Sequence, residues 1–355
     1  MTDNDYESSV KERREEAVAA FEDSHKGFVG RLQHMLHQTP ALVPLIVLVV
    51  ALLVFALYLG QRFFSPGTLT LILQQVQIVG ILAAAQTLII LTAGIDLSVG
   101  AIAVLCSVIM GQFTFRYGIP PVIAVALGLM VGTAIGAISG WLVSRVKIPP
   151  FIATLGMWQI VLAANYLYSR NETIRSQDLR DEAPFLQFMG NVVEFGGARV
   201  TYGVFAMIIL VVVLAYVLRA TAWGRHVYAV GDDPEAAELA GVNTKRTLMS
   251  VYMLSGAICG LAGWVMIGRF GSVSPSASTG LVGNIQSITA VVIGGISLFG
   301  GRGSILGAFF GALIVGVFEL GLRMAGANAQ WTFLLIGFLI IGAVAVDQWI
   351  RKVSA

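Results

Sequence analysis

The sequence predicts an all-α, polytopic integral membrane protein, and three observations carry that reading. Mean hydropathy is +0.82. Hydrophobic residues make up 57% of the chain and charged residues 12%, about half the usual charged share. After Pro40, long apolar runs alternate with short polar segments, and several runs reach the ~20 residues that a membrane-crossing helix needs. Glycine, at 40 of 355 residues, exceeds the usual share of about 7%, as expected where membrane helices approach one another closely.

Residues 1–39 form a polar tail of mixed charge, with Lys11, Arg13, Arg14, Glu15 and Glu16 close together. No apolar core with a small-residue cleavage site follows in secretory order, so the tail is not read as a signal peptide. Phe28, Val29, Leu32, Met35 and Leu36 recur at helical spacing, with Lys26, Arg31, His34 and His37 between them. That pattern suits a helix lying on the membrane surface, and a tail without a separate role suits it equally.

The transmembrane domain spans 40–350. Helices are expected near 41–60, 69–92, 97–115, 119–143, 149–168, 201–219, 248–268, 284–299, 304–322 and 330–349, about ten spans in all. Gly94 to Gly100 interrupts the 69–115 stretch, and the 284–299 segment is short, so both are read as broken or re-entrant helices. An outer loop covers 169–200, an inner loop covers 220–247, and a short tail follows at 351–355.

Basic residues set the orientation. With the N-terminus in the cytoplasm, the inner segments hold Lys11, Lys26, Lys147, Lys245 and Lys352, with Arg145, Arg219, Arg225, Arg246, Arg302 and Arg351. Arg170, Arg175, Arg180 and Arg199 remain outside, in the 169–200 loop. An even number of spans returns the C-terminus to the cytoplasm, in agreement with Arg351 and Lys352.

Several function classes lack their residues. A formal net charge of +2 is too small to suggest nucleic acid. No G-x-x-x-x-G-K-[ST] run is present, so the chain is not expected to hold ATP phosphates. The four histidines, His25, His34, His37 and His226, lie outside the spans. Cys106 and Cys259 fall in apolar runs without metal-ligand spacing. The expectation is a chain with no metal, no cofactor of its own and no catalytic set.

Gly224 to Gly241 is the most informative stretch. Asp233 is a good N-cap, Pro234 suits the first helical position, and Gly241 is placed to end the helix in a left-handed turn. The chain thus specifies a helix of about two turns within a loop, which an ordinary linker does not need. Glu235, Ala236 and Ala237 form its body, and Arg225, Lys245 and Arg246 surround it with charge.

Charge inside the membrane is sparse. Asp96 is expected to cap a helix beginning near Leu97, together with Ser98, or to face a cavity. Glu319 and Arg323 are one turn apart and are read as a local ion pair. Uncharged polar groups fall on three helices: Gln74, Gln75, Gln77 and Gln86; Trp158, Gln159 and Asn165; and Asn284, Gln286, Ser287 and Thr289. Such groups can pass a polyhydroxylated solute along a pathway or join helices to each other, and both readings stay open. Gly94-Ile95-Asp96-Leu97 and Gly295-Ile296-Ser297-Leu298 echo one another, as a duplicated half or by chance.

Three segments carry a resemblance: Leu91 to Gly100, with Gly94, Asp96, Ser98 and Gly100; Gly224 to Gly241; and Val292 to Ser304, with Gly294, Gly295, Gly300 and Gly301. Over residues 40–350 the chain resembles the membrane permeases of bacterial ABC importers for monosaccharides. Glu235-Ala236-Ala237 with Gly241 is similar to the E-A-A-x-x-x-G loop of importer permeases, which docks into the ATP-binding subunit. The resemblance implies a homodimer in the bacterial inner membrane, an ATPase partner that binds ATP and Mg, and a periplasmic sugar-binding protein. The cargo is then a pentose or hexose, and the long N-terminal tail looks most like fructose-type permeases. The glycine motifs are implied as pathway or gate elements. The rival expectation is an ion-coupled secondary transporter, which needs a titratable or sodium site near the midplane; only Asp96 and Glu319 are available for it.

Overall fold

The computed structural model describes residues 41–354. The expectations for the 1–39 tail lie outside those residues. The described chain is almost entirely helical: α1 (Leu42–Leu59), α2 (Pro66–Leu91), α3 (Val99–Tyr117), α4 (Pro121–Trp141), α5 (Pro150–Ser169), α6 (Ser176–Glu182), α7 (Tyr202–Ala220), α8 (Ala222–Asp232), α9 (Pro234–Leu239), α10 (Thr244–Phe270), α11 (Ala277–Ile293), α12 (Ile305–Met324) and α13 (Ala329–Ser354). Among the described residues, eight helices are long and apolar enough to cross a membrane, and Ala277–Ile293 and Gln330–Ala345 are shorter apolar segments. Together these follow the order expected for ten spans.

Local chemistry sets most helix starts. Ser65, Thr221, Asp233, Asn243, Ser276 and Ser304 each accept a backbone N–H of the first turn that would otherwise be orphaned. Proline opens α2, α4 and α5, where its missing N–H costs nothing.

Three expected boundaries are corrected. The helix placed at 284–299 is α11, Ala277–Ile293: Ser276 caps it seven residues earlier, and Gly295, at φ +73°, turns the chain so that 294–304 is a loop. α10 begins at Thr244 rather than 248, because Asn243 accepts from the Arg246 N–H. α13 runs to Ser354 rather than ending near 349. The 169–200 loop also holds α6 and a two-stranded hairpin, β1 (Val192–Phe195) and β2 (Ala198–Thr201), closed by Gly196 and Gly197, both at positive φ. Glu194 sits opposite Arg199 and pairs with it at 2.8 Å.

α2, α3 and α10 form the interior, and α1, α4, α5 and α7 present apolar faces outward through Leu57, Met130, Leu167 and Val212, as lipid-facing helices do. Gly128, Gly132, Gly136 and Gly140 recur every fourth residue on α4; the last three lie against α10, whereas a Cβ at Gly128 would meet Met110 and Cys106 of α3. A Cβ at Gly136 would fall on the Tyr252 carbonyl oxygen, and one at Gly132 on that of Gly256. The two backbones approach as closely as they do because those side chains are absent.

Candidate transport and coupling sites

The predicted capped helix is present as α9. Asp233 Oδ1 accepts from the N–H groups of Glu235 (2.9 Å) and Ala236 (3.0 Å). At the other end the Gly241 N–H donates to the Glu238 carbonyl and the Val242 N–H to the Ala237 carbonyl, both at 3.0 Å, with Gly241 at φ +86°. That bond pair is the glycine-dependent Schellman stop. Ala237 is buried, while Asp233, Pro234, Glu235, Ala236, Leu239 and Gly241 are exposed, Leu239 to 91%. Leu239 thus places a single apolar side chain on the exposed surface of the knob.

α8, which supports the knob, was missed by sequence reasoning. Its signal is present: Gly224, Val227, Val230 and Gly231 share one buried face, and Arg225 and His226 are exposed on the other. That buried face rests on the two glycine-rich loops. The Gly301 N–H donates to the Leu91 carbonyl (3.0 Å), and Gly231 packs on both groups with no room for a Cβ. The Tyr228 hydroxyl donates to the Gly303 carbonyl (2.9 Å), and burial pushes its pKa up, which keeps it a donor. Trp223 Nε1 donates to Ser250 Oγ (2.8 Å), joining α8 to α10. Ala93, at φ +60°, lies against Gly300, and Gly294 packs on Gly307 of α12. The two echoed loops therefore meet at the base of α8.

Asp96 does not cap α3, which begins at Val99. Its Oδ1 accepts from the Ser98 N–H and Ser98 Oγ, both at 2.6 Å, and so holds the loop in a turn. The Gln86 amide brackets the Asp96 backbone, donating to its carbonyl (3.0 Å) and accepting from its N–H (3.2 Å). Thr154 Oγ1 donates to the Ile95 carbonyl (3.0 Å) and accepts from the Leu97 N–H (3.2 Å). Loop 92–98 is thus drawn inward, so that Gly100 meets the Gly280 carbonyl of α11.

The polar residues expected along a pathway divide into two groups. Gln77 accepts from Thr201 Oγ1 (2.8 Å) at the start of α7, and Gln74 donates to the Arg199 carbonyl (2.6 Å). Asn284 accepts from the Gly100 N–H (3.2 Å) and donates to the Leu97 carbonyl, while Ser287 Oγ donates to the Asn284 carbonyl (2.8 Å). Gln74, Gln77 and Asn284 thus join elements, whereas the Ser287 bond stays within α11. Gln159 is exposed on the outer face of α5. Asn165 is buried with neither amide atom partnered among the described residues, and with Trp158 it borders a void of about 10 Å³ between α3, α5 and α11, room for about one water.

Gln75 and Gln286 do something different. They face a cavity of about 410 Å³ between α2, α10, α11 and α12, together with Arg269, Ser278, Glu319 and Arg323. The expected Glu319–Arg323 pair is present at 3.3 Å and stands in this wall. A second cavity of about 390 Å³ lies under the hairpin beside Gln74 and Arg199, and Arg269 lines both. Arg269 went unnoticed in the sequence because it ends an apolar helix, where a lone arginine reads as an interfacial anchor. Along α10 the cavity and the knob are separated by ~38 Å, from Arg269 back to Thr244, so they occupy opposite ends of the bundle.

Comparison with known proteins agrees with this architecture. Residues 68–344 match the family described as branched-chain amino acid transport system / permease component. The chain is 67% identical over 338 residues to the fructose import permease protein FrcC of Rhizobium meliloti, covering 95% of this chain and 93% of the relative. It is 34% identical to the ribose import permease protein RbsC of Escherichia coli K12, covering 82% and 88%. It is 32% identical to the autoinducer 2 import system permease protein LsrC of Photorhabdus luminescens, covering 84% and 88%. With its glycine-seamed bundle and capped knob, this multi-pass membrane protein belongs to the branched-chain amino acid transport system / permease component family.

Proposed function

We propose that the chain is the membrane subunit of an inner-membrane ABC importer for fructose. The observation that carries this is the α8–α9 module: a rigid, doubly capped knob with an exposed Leu239, seated without slack on both glycine loops. A separate ATPase, which would carry the ATP and Mg, docks on the knob from the cytoplasm. Force on α9 passes through α8 to the end of α2 and to the loop that leads into α12. A periplasmic binding protein delivers sugar at the opposite end, near the 169–200 segment. A second copy of this chain covers the flank where α11 exposes Leu281, Val282 and Ile285. The 67% identity to a fructose import permease supports fructose as the sugar.

The secondary-transporter reading is less well supported, because Asp96 is engaged by Ser98 and Glu319 by Arg323. Reconstitution tests the proposal. Proteoliposomes holding the permease, its ATPase and the binding protein should take up fructose only with ATP. Uptake that persists without ATP or without the ATPase overturns it.

A further inference from the structure

We propose that the cavity between α2, α10, α11 and α12 is a transient binding site for the sugar on the permease itself, built from Gln75, Arg269, Gln286 and Glu319. This deepens the importer reading and rests on it. The cavity, at about 410 Å³, falls within the range of roughly 300–1,000 Å³ typical of small-molecule sites. Ile78, Val79, Met266 and Phe270 supply apolar wall, and the polar groups are few and convergent, as such sites require.

The chemistry fits a neutral polyol. Each sugar hydroxyl both donates and accepts, so it needs donors and acceptors close together. Gln75 and Gln286 offer both from one planar group, and neither amide has a hydrogen-bond partner among the described residues, unlike Gln74, Gln77 and Asn284. Arg269 adds guanidinium donors that no described carboxylate takes up. Glu319 is held by Arg323 through one oxygen only, Oε1, which leaves Oε2 to accept. Arg269 also borders the second cavity, so one guanidinium can follow a hydroxyl from the hairpin side into the bundle. The open, half-exposed wall suits weak capture, which a transporter needs in order to release its cargo.

The test uses the complete transporter in proteoliposomes and reads fructose uptake and ATP hydrolysis together. Gln75→Leu, Gln286→Leu and Arg269→Leu should each lower fructose moved per ATP by about tenfold, since a site built to hydrogen-bond hydroxyls discriminates steeply when a partner is lost. Stimulation of hydrolysis by sugar-loaded binding protein should stay within about twofold of the parent, because the knob and its loops are untouched. Arg269→Lys should recover part of the loss. Equal uptake per ATP in all three Leu variants overturns the site and leaves the importer reading standing. Loss of uptake and of stimulation together also overturns it, because the residues would then serve coupling and not the sugar. A parent complex without ATP-dependent fructose uptake overturns the importer reading and the site with it.

Discussion

The Gly301 N–H donates to the Leu91 carbonyl at 3.0 Å, and so ties the end of α2 to the loop that leads into α12. These residues are 210 positions apart in the chain (301 minus 91) yet form the surface on which α8 sits. Gly231 closes the contact from above, with its own Cα against both groups. A contact without slack transmits displacement, since packed interfaces shift between discrete arrangements and do not deform smoothly.

Gly231→Val therefore should uncouple the transporter. The added side chain must push α8 off Leu91 and Gly301, an overpacking cost of about 1–3 kcal/mol. The variant should insert and bind the ATPase through α9, while binding-protein-stimulated hydrolysis falls several-fold. Parent-level stimulation would show that force does not pass through this contact.

The knob itself separates capping from docking. Asp233→Ala removes the acceptor for two amides and should cost the short helix about 1 kcal/mol. Leu239→Ala removes only exposed surface, so thermal stability of the isolated permease should not change. Co-purification of the ATPase should nonetheless weaken in the Leu239 variant. Unchanged co-purification would mean that Leu239 is outside the docking surface. Deleting 234–240 should abolish coupling altogether.

What the sequence disclosed about these sites followed the range of the forces involved. Asp233, Pro234 and Gly241 were legible because capping acts within one helical turn. The apolar runs were legible because each span must satisfy its own backbone in lipid. The hairpin signal, Gly196-Gly197 between two short β-prone runs, was present but lay inside a segment read only as an outer loop. The roles of Gln77, Asn284 and Gln286 could not be read, because three similar amides on apolar helices differ only in what the bundle brings to them. Thr201 reaches Gln77 from 124 positions away and Leu97 reaches Asn284 from 187, whereas Gln286 is left facing a cavity. Asp96 was placed at a helix start, which holds to within three residues, but its partner proved to be the loop.

Asp96 gives a prediction that tells shape from charge. Its Oδ1 satisfies both groups of Ser98 in a buried turn. Asp96→Asn keeps that oxygen and should retain a folded, assembled complex. Asp96→Ala leaves the Ser98 N–H buried without an acceptor, at about 1–3 kcal/mol, and should lower the melting temperature of the purified permease. If Asn proved as damaging as Ala, the charge and not the turn would be what the site requires.

The α4–α10 seam provides the last test, by comparing two glycines of identical local propensity. Gly136 and Gly156 both lie inside membrane helices, where alanine is favoured over glycine by roughly 0.5–1 kcal/mol. At Gly156 a Cβ meets nothing within 4 Å, so Gly156→Ala should leave stability unchanged or raise it slightly. At Gly136 the same carbon falls on the Tyr252 carbonyl, so α4 and α10 must separate along a line that also includes Gly132 and Gly256. Gly136→Ala should therefore destabilise by about 1–3 kcal/mol, and Gly136→Leu should fail to give a monodisperse protein in detergent. Melting temperatures measured side by side decide the matter: equal values for Gly136→Ala and Gly156→Ala would mean that close backbone approach contributes nothing at the centre of this bundle.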